Sequence, residues 1–425
     1  MLPIVMANTP EEKELFTSIA SRSKKTEKEI GQAVDRLLED LYKRGWKAAC
    51  EQSLRFDKKE PREIPQSEWQ TAAHECSPEI IDDMRAAAKN IEEYQRKLLP
   101  ENITSWQNSD MGGVGQIIRP LQRVGLYAPG GTAAYPSSVL MTAIPARVAG
   151  VEEIILVTPP TEHLRPEVLA AADISGVDRL FAIGGVPAIA SLALGLGPIP
   201  RCDKIAGPGN AYVQDAKRKL FGEIDIDSLA GPSDILIIAD SSANPEWIAA
   251  DLLSQAEHDV LSSVVLVCLD EATANQSLKA LERRLEKLPR REIAGTALAN
   301  YGAVILCQTK QQAVEAANRI APEHLEIITT DPESLLPGLR NAGAVFLGGY
   351  SPEPLGDYWA GPSHVLPTAG SSRFFPALSV DSFLKKISLI AYDRFALEKN
   401  YQGIARFARS EGLEAHARSV EARFL

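Results

Sequence analysis

The sequence alternates short apolar runs with longer amphipathic segments, in two successive series. The strand-like runs of the first series lie at 154–157, 180–183 and 235–238, and those of the second at 264–267, 303–306, 325–328 and 344–347. Such alternation is typical of parallel sheets covered by helices. The sequence therefore predicts an α/β protein with two Rossmann-like lobes that carry parallel-type sheets. A cleft between such lobes commonly binds a ligand.

The two ends of the chain differ from the middle. Roughly the first hundred residues and the last forty mix charged and apolar residues at helical spacing. We therefore expect a helical N-terminal segment, a first lobe, a second lobe with most of the site residues, and a helical C-terminal dimerisation tail, at 1–115, 116–240, 241–385 and 386–425. Such a tail either packs on its own chain or is exchanged with a partner subunit.

Composition and charge argue against several classes of protein. The net charge is −11, and no basic run could neutralise a series of phosphates, so we expect no nucleic-acid partner. No apolar run approaches the roughly 20 residues of a membrane span, and the N-terminus lacks the pattern of a signal peptide. The five cysteines are scattered and odd in number, which favours a reducing compartment. We expect a cytoplasmic protein without a membrane partner.

Glycine-rich segments do not complete a dinucleotide fingerprint. Neither the glycine pair at 113–115 nor the pair at 195–197 continues into GxGxxG. The segment Gly-Pro-Gly-Asn at 207–210 could hold a phosphate or ribose at a helix start, although a strand-to-helix turn explains it about as well. The loop at 126–133, with paired glycines, has the same two interpretations. Cofactor binding cannot be inferred from these glycines alone.

Four of the six histidines lie beside carboxylate or carboxamide side chains. Gln255 and His258 are three residues apart next to the apolar face of a predicted helix, so both could reach one ligand. The other three are His324 with Glu323, His364 with Asp357, and His416 with Glu411. Zinc favours imidazole nitrogen with one or two oxygen ligands, so these segments contain what a zinc site needs. Taken alone, a histidine beside an apolar face is more often a hydrogen-bonded structural residue.

Glu323 and His324 directly precede a predicted strand. Neighbouring side chains diverge, so the pair could act on two different protons, with His324 as base toward an alcohol and Glu323 as base toward water. The alternative is a turn whose charges are merely solvated.

Taken together, several motifs resemble the histidinol dehydrogenase family. In chain order they are GLYAPGG, DKIAGPGNAYV, SLAGPSDILIIAD, LLSQAEHD, APEHLE, GDYWAGPSHVLPT and EGLEAH, and the likeness extends from about Arg119 to the C-terminus. The resemblance implies a cytoplasmic homodimer with site residues from both subunits, dependent on NAD and on one Zn²⁺ per subunit. It further implies oxidation of L-histidinol through L-histidinaldehyde to L-histidine, the last steps of histidine biosynthesis.

The resemblance also assigns roles to particular residues. The implied zinc ligands are Gln255, His258, Asp357 and His416, which with His324 also contact the substrate. Further substrate contacts would come from Ser233, His364 and Glu411, the last across the dimer interface, and the proton acceptors would be Glu323 and His324. Tyr127 and Asn210 match positions that contact NAD, and Pro187 stands where the family carries a cofactor-binding Gln. Proline offers neither a side-chain amide nor a backbone donor, so the resemblance does not fix the strength of NAD binding.

Two other functions fit the same residues. The chain could oxidise a different small polar alcohol with the same zinc and NAD chemistry. It could also be a zinc-dependent hydrolase or a zinc-binding relative that no longer uses NAD. A cysteine-dependent aldehyde dehydrogenase is disfavoured, because neither Cys202 nor Cys268 has a nearby histidine in the sequence to activate it.

Overall fold

A computed structural model describes residues 2–22, 24–101, 106–108, 112–130, 135–161 and 164–425. Residues 131–133 of the loop predicted at 126–133 lie outside these ranges. The chain divides into two units, the first formed by Met1–Leu98 with Gln122–Phe383 and the second by Leu99–Leu121 with Leu384–Leu425.

The strands are short and follow one another in a regular series. In chain order they are β1 (Ile4–Met6), β2 (Arg62–Ile64), β3 (Trp106–Asn108), β4 (Gly112–Pro120), β5 (Arg123–Tyr127), β6 (Glu153–Thr158), β7 (Arg179–Ala182), β8 (Lys204–Ala206), β9 (Asp225–Ile226), β10 (Asp234–Ala239), β11 (Ser263–Cys268), β12 (Gly302–Leu306), β13 (His324–Ile328), β14 (Ala344–Leu347) and β15 (Leu384–Ala391).

Helices separate most of these strands. They are α1 (Pro10–Ser21), α2 (Lys24–Arg44), α3 (Trp46–Phe56), α4 (Gln66–Glu75), α5 (Pro78–Leu98), α6 (Pro136–Ala149), α7 (Pro166–Ser175), α8 (Gly185–Leu194), α9 (Ala211–Leu220), α10 (Pro245–Ala256), α11 (Glu271–Leu285), α12 (Arg291–Tyr301), α13 (Lys310–Ile320), α14 (Glu353–Tyr358), α15 (Arg394–Glu398), α16 (Tyr401–Ser410) and α17 (Glu414–Glu421). Short 3-10 turns lie at Glu333–Gly338, Ser371–Arg373 and Val380–Phe383.

The first lobe is built on a six-stranded sheet with the order β2-β7-β6-β5-β8-β9. Strands β5 to β9 are parallel, and β2 joins one edge in the antiparallel direction. Apolar side chains of α2, α3, α8 and α9 pack in one core against this sheet. Helices on its faces explain why β6 is buried along nearly its whole length rather than on alternate residues.

The second lobe is built on a six-stranded sheet in which every pairing is parallel, with the order β1-β12-β11-β10-β13-β14. All residues of β10 and β11 are buried. Helices α10, α11 and α12 pack on one face, and α1 and α13 pack on the other. The predicted α/β class with parallel-type sheets is confirmed.

The N-terminal segment is not entirely helical. Strand β1 extends the second sheet, and strand β2 extends the first. Each has three residues, too few to show a period in the sequence, and the partner strand determines its conformation. The division of the chain at 115, 240 and 385 stays a prediction.

The second unit contains an antiparallel sheet with the order β15-β4-β3, followed by α15, α16 and α17. The predicted helical C-terminal end is confirmed. Of the helices in the described ranges, none combines the length and the apolar character that a membrane crossing requires.

Candidate functional site

Two neighbouring strands of the second lobe bring four polar residues together at their amino ends. Asp234 begins β10 and His324 begins β13, and the register pairs Ile235 with His324. Ser233 and Glu323 immediately precede these strands. Because the strands are parallel and adjacent, the residues before them meet. Asp234, Glu323 and His324 are buried.

Asp234 is hydrogen-bonded to both members of the Glu323–His324 pair. Its Oδ1 atom accepts the backbone N–H of Glu323 at 2.5 Å, and its own N–H donates to Glu323 Oε2 at 3.2 Å. The Nδ1 atom of His324 lies 3.3 Å from the Asp234 carbonyl oxygen. A carbonyl can only accept, so the proton of a neutral His324 ring resides on Nδ1. The Nε2 lone pair is then free to act as a base.

Two carboxylates face that Nε2 atom. Glu353 Oε1 and Asp357 Oδ1 each lie 3.9 Å from it, and the atom has no hydrogen-bond partner within the described part of the chain. One ligand atom from each of His324, Glu353 and Asp357 lies within 4.8 Å of the others, a spacing that could hold a metal ion. Asp357 is also a predicted zinc ligand, whereas Glu353 is not.

Helix α14 positions both carboxylates, since Glu353 and Asp357 are one turn apart. The N–H of Glu353 donates to Glu326 Oε1 at 2.7 Å, and the Ser254 hydroxyl donates to Glu353 Oε2 at 3.2 Å. Burial, and then repulsion by Asp357, raises the pKa of Glu353 to about 7. Burial raises the pKa of Asp357 to about 6. The pair can therefore hold a proton near neutral pH.

A second pair of acids lies behind Glu353. Burial, and then repulsion by Asp251, raises the pKa of Glu326 to about 9. Burial also raises the pKa of Asp251 to about 6. The interior next to the site thus disfavours negative charge.

Helix α10 carries Gln255, and His258 follows the helix by two residues. Gln255 is buried, and its Oε1 atom accepts no hydrogen bond from any residue in the described ranges. His258 lies just beyond the end of the helix, is exposed, and donates its N–H to the Gln255 carbonyl at 3.3 Å. Burial has the largest effect on the pKa values of His324, Glu353 and His364. The charge of His258 has a smaller effect and lowers all three values.

His364 connects the two lobes. Its Nδ1 atom lies 3.0 Å from the Asp357 carbonyl oxygen, and its Nε2 atom lies 3.2 Å from Ser138 Oγ. Ser138 is in the first turn of α6, which belongs to the first lobe. Burial lowers the pKa of His364 to about 4, so the ring is neutral at pH 7 and accepts the Ser138 hydroxyl proton.

The three predicted NAD contacts lie at or after the carboxyl ends of strands in the first sheet. Tyr127 ends β5, is buried, and accepts the N–H of Gly185 on its hydroxyl at 3.3 Å. Asn210 is exposed and caps α9 by accepting two backbone N–H groups. Pro187 is buried in the first turn of α8, where a missing N–H removes no helical hydrogen bond. Carboxyl ends are where open α/β sheets commonly bind ligands.

The turn at 207–210 requires its first glycine. Gly207 has a φ of +117°, and a Cβ atom there would overlap the Tyr127 carbonyl oxygen. Gly207 N–H donates to Asp227 Oδ2 at 2.7 Å. This glycine has a structural reason to be present, whether or not a ligand binds beside it.

Glu411 and His416 belong to the second unit, whereas the other ten predicted site residues belong to the first. Glu411 follows α16 and His416 lies on α17, and both are exposed.

Sequence reasoning missed several residues at the site: Asp234, Glu326, Asp251, Ser138 and Glu353. Only Glu353 had a usable signal, since it precedes Asp357 by four residues, the spacing of one helical face. The others depend on contacts between distant parts of the chain.

Fold and site together define a two-lobed α/β enzyme in which buried acid–base groups stand beside nitrogen and oxygen atoms that could hold a cation. The family model described as Histidinol dehydrogenase matches residues 20–424, and the chain belongs to this family of oxidoreductases. The predicted resemblance is thereby confirmed.

Relatives match over nearly the whole chain. The histidinol dehydrogenase of Clostridium acetobutylicum is 44% identical, with 100% of this chain and 99% of the relative covered. That of Bacillus subtilis is 49% identical, with 91% of each covered. The crystal structure of histidinol dehydrogenase from Elizabethkingia anophelis superposes with a TM-score of 0.92 at 34% identity, covering 100% of this chain and 98% of that one.

Proposed function

We propose that the chain oxidises L-histidinol through L-histidinaldehyde to L-histidine in the cytoplasm, with NAD as hydride acceptor and one Zn²⁺ per subunit. The observation that carries this proposal is the buried Nε2 atom of His324, which has no hydrogen-bond partner in the described ranges and faces Asp357. Membership of the family supports the choice of substrate.

The unpaired acceptors of the site fit a cation. Gln255 Oε1 is buried without a hydrogen-bond donor from the described residues, and the Asp357 carboxylate lies beside the proposed base His324. Such a set of oxygen and nitrogen acceptors suits zinc. Gln255, His258, Asp357 and His416 would be its ligands. Bound zinc would hold the imidazole and amino nitrogens of the substrate and thereby orient the carbinol carbon.

His324 is suited to take the hydroxyl proton in the first oxidation. Burial lowers the pKa of His324, although the charge of Glu353 acts in the opposite direction, so the ring is neutral at pH 7. The Asp234 carbonyl holds its proton on Nδ1, which leaves Nε2 to accept the proton as hydride departs from carbon. The product of this step is the aldehyde.

Glu323 is suited to activate water for the second oxidation. Burial, and then repulsion by Asp234, raises the pKa of Glu323 well above its usual range, while hydrogen bonds from Asp234 and Ser233 lower it. A carboxylate with a raised pKa is a stronger base toward water. It would take one proton as water adds to the aldehyde, the resulting hydrate anion would lose hydride to a second NAD to give the carboxylic acid, and the acid would release its proton as the carboxylate.

The first lobe would bind NAD, and each of the two oxidations would deliver one hydride to one of two NAD molecules that bind in succession. Tyr127, Pro187 and Asn210 follow carboxyl ends of its strands, and His364 and Ser138 join this lobe to the proposed substrate site. Substrate bound in the second lobe would therefore lie next to the cofactor.

A homodimer would bring Glu411 to the amino group of the substrate. Large apolar side chains of the second unit are exposed, including Ile390 at 74%, Phe395 at 62% and Phe407 at 70%. Apolar surface of this kind favours association with another subunit. The exposed position of Glu411 is compatible with a site completed by the partner.

The test is the amount of NADH formed per L-histidinol by zinc-loaded protein, beside a chelated sample and with other small amino alcohols tested in parallel. We expect two equivalents, lost on chelation. If L-histidinol gives no NADH and another alcohol does, the substrate is that other alcohol rather than L-histidinol. No NADH from any alcohol despite bound zinc would favour a zinc protein without NAD chemistry.

A further inference from the structure

Arg22 connects the N-terminal helix α1 to the proposed catalytic residues. It is the residue after α1 and is 6% exposed. Its Nη1 atom donates to the Ile19 carbonyl at 2.9 Å. Its Nη2 atom donates to the Pro232 carbonyl at 2.8 Å and to Asp234 Oδ2 at 2.7 Å. One nitrogen atom therefore holds the residues on both sides of Ser233.

Asp234, which Arg22 holds in place, is in turn hydrogen-bonded to the two proposed bases, Glu323 and His324. Oδ2 accepts from Arg22 and from the Ala369 N–H at 3.1 Å, while Oδ1 accepts the Glu323 N–H. The backbone of the same residue contacts the Glu323 carboxylate and the His324 ring. Any movement of Asp234 would therefore shift both proposed bases.

The ion pair is deeply buried, with 1% of the Arg22 side chain and 3% of the Asp234 side chain exposed. Well-packed apolar residues would often stabilise a fold as well as a buried ion pair. Stability alone therefore does not account for these charges, whereas the hydrogen bonds of Asp234 to Glu323 and His324 give them a specific use.

We propose that Arg22 and Asp234 are positioning residues, which fix the segment 232–234 against Glu323 and hold His324 in the form with its proton on Nδ1. The role in turnover rests on the proposed function, whereas the effect on His324 does not. The N-terminal segment thereby contributes to catalytic geometry without touching substrate.

The test compares Arg22→Lys with a matched change, Arg319→Lys. Lysine keeps the charge but lacks the planar fork of arginine, so it cannot reproduce the three hydrogen bonds of Arg22. Arg319 pairs with Glu12 of the same helix α1 at 3.3 Å, so it controls for loosened packing of α1. Each variant is assayed for kcat per folded, zinc-loaded molecule, and the ring nitrogens of ¹⁵N-labelled histidine are observed by NMR, with His324 assigned from His324→Asn.

We expect Arg22→Lys to lower kcat by about tenfold or more, since small misplacements of catalytic groups are costly, and to lose the single Nδ1–H form of His324. Arg319→Lys should leave both unchanged. A folded Arg22→Lys variant with wild-type kcat and wild-type His324 signals would overturn the proposal. If the wild-type chain forms no NADH from L-histidinol, the proposed function fails, and the His324 signals alone decide the positioning role.

A doubly neutral variant, Arg22→Met with Asp234→Asn, covers the case in which Arg22→Lys does not fold. It removes both buried charges together and so avoids an unpaired one. The Asn amide can no longer accept both the Glu323 and the Ala369 N–H groups. We expect a folded protein with low kcat and altered His324 signals. Wild-type kcat together with wild-type His324 signals would overturn the proposal.

Discussion

The Oε1 atom of Glu353 and the Nε2 atom of His324 face each other across 3.9 Å in the second lobe. The His324 proton is on the far side of the ring, toward the Asp234 carbonyl. Asp357 approaches the same Nε2 atom from the next turn of α14. Acceptors alone do not stabilise one another, so an added proton, a bound cation or a donating hydroxyl group would stabilise this arrangement.

If a cation binds here, removal of its imidazole ligands should weaken zinc and substrate binding together. We expect His258→Asn and His416→Asn to lower zinc content and to raise KM for L-histidinol by about tenfold or more, since even changes around a metal ligand cost this much. Zinc analysis and steady-state kinetics of the purified proteins measure the two effects. His74→Asn is the matched control, because His74 is exposed on α4. Normal zinc content in both ligand variants would remove them from the ligand set.

The two proposed bases should affect different half-reactions. His324→Asn should slow oxidation of L-histidinol by about 100-fold, the usual contribution of a general base. Glu323→Gln should slow oxidation of the aldehyde by a similar factor while largely sparing the first hydride transfer. Single-turnover NADH formation from the alcohol and from the aldehyde separates the steps. Identical losses in both steps for both variants would contradict this division.

Features that follow from a local sequence pattern could be predicted, whereas features that depend on contacts between distant residues could not. Buried β-branched runs predicted the central strands, whereas the prediction that Gln255 and His258 reach one ligand stays a prediction. Strands β1 and β2 were missed because three residues show no period. Asp234 was missed because its hydrogen bond to the Glu323 N–H spans 89 residues, and nothing near Asp234 marks it as a partner. Whether Glu411 and His416 complete the site stays a prediction.

The buried acids should make stability depend on pH. Burial raises the folded-state pKa of Glu326 from 4.5 to about 9, so the folded chain binds this proton more tightly than the unfolded chain. Stability is then lost as pH rises between these values, because the unfolded chain releases the proton first. In Glu326→Gln, the melting temperature should fall less steeply as pH rises. Near pH 9 it should lie roughly 2–4 °C above the melting temperature of the wild type. Exposed Glu286 provides the control Glu286→Gln. An unchanged slope in Glu326→Gln would show that Glu326 is ionised in the fold.

Pro187 offers a test of the cofactor site. Pro187→Gln restores a side-chain amide in the first turn of α8. One added hydrogen bond contributes about 0.5–1.5 kcal/mol, so KM for NAD should fall by about 2- to 10-fold with little change in KM for L-histidinol. Pro198→Gln, at an exposed position after the same helix, should change neither value. A KM for NAD that rises or stays constant in Pro187→Gln would argue against a cofactor contact there.

Glu411 should act on the site of the partner subunit. Glu323→Gln and Glu411→Gln should each give a homodimer that forms little L-histidine, which is the activity compared here, since each of its two sites lacks one group. Mixed dimers pair an intact Glu323 from one chain with an intact Glu411 from the other at one of their two sites. If equal amounts of the two variants are dissociated and reassembled, half of the dimers are mixed, so activity should recover to about a quarter of wild type. A mixture of Glu323→Gln with His324→Asn is the control, because adjacent residues of one chain belong to the same site and no mixed dimer restores both. Recovery in the first mixture alone would establish a shared site, and inactivity in both would mean that Glu411 serves its own chain.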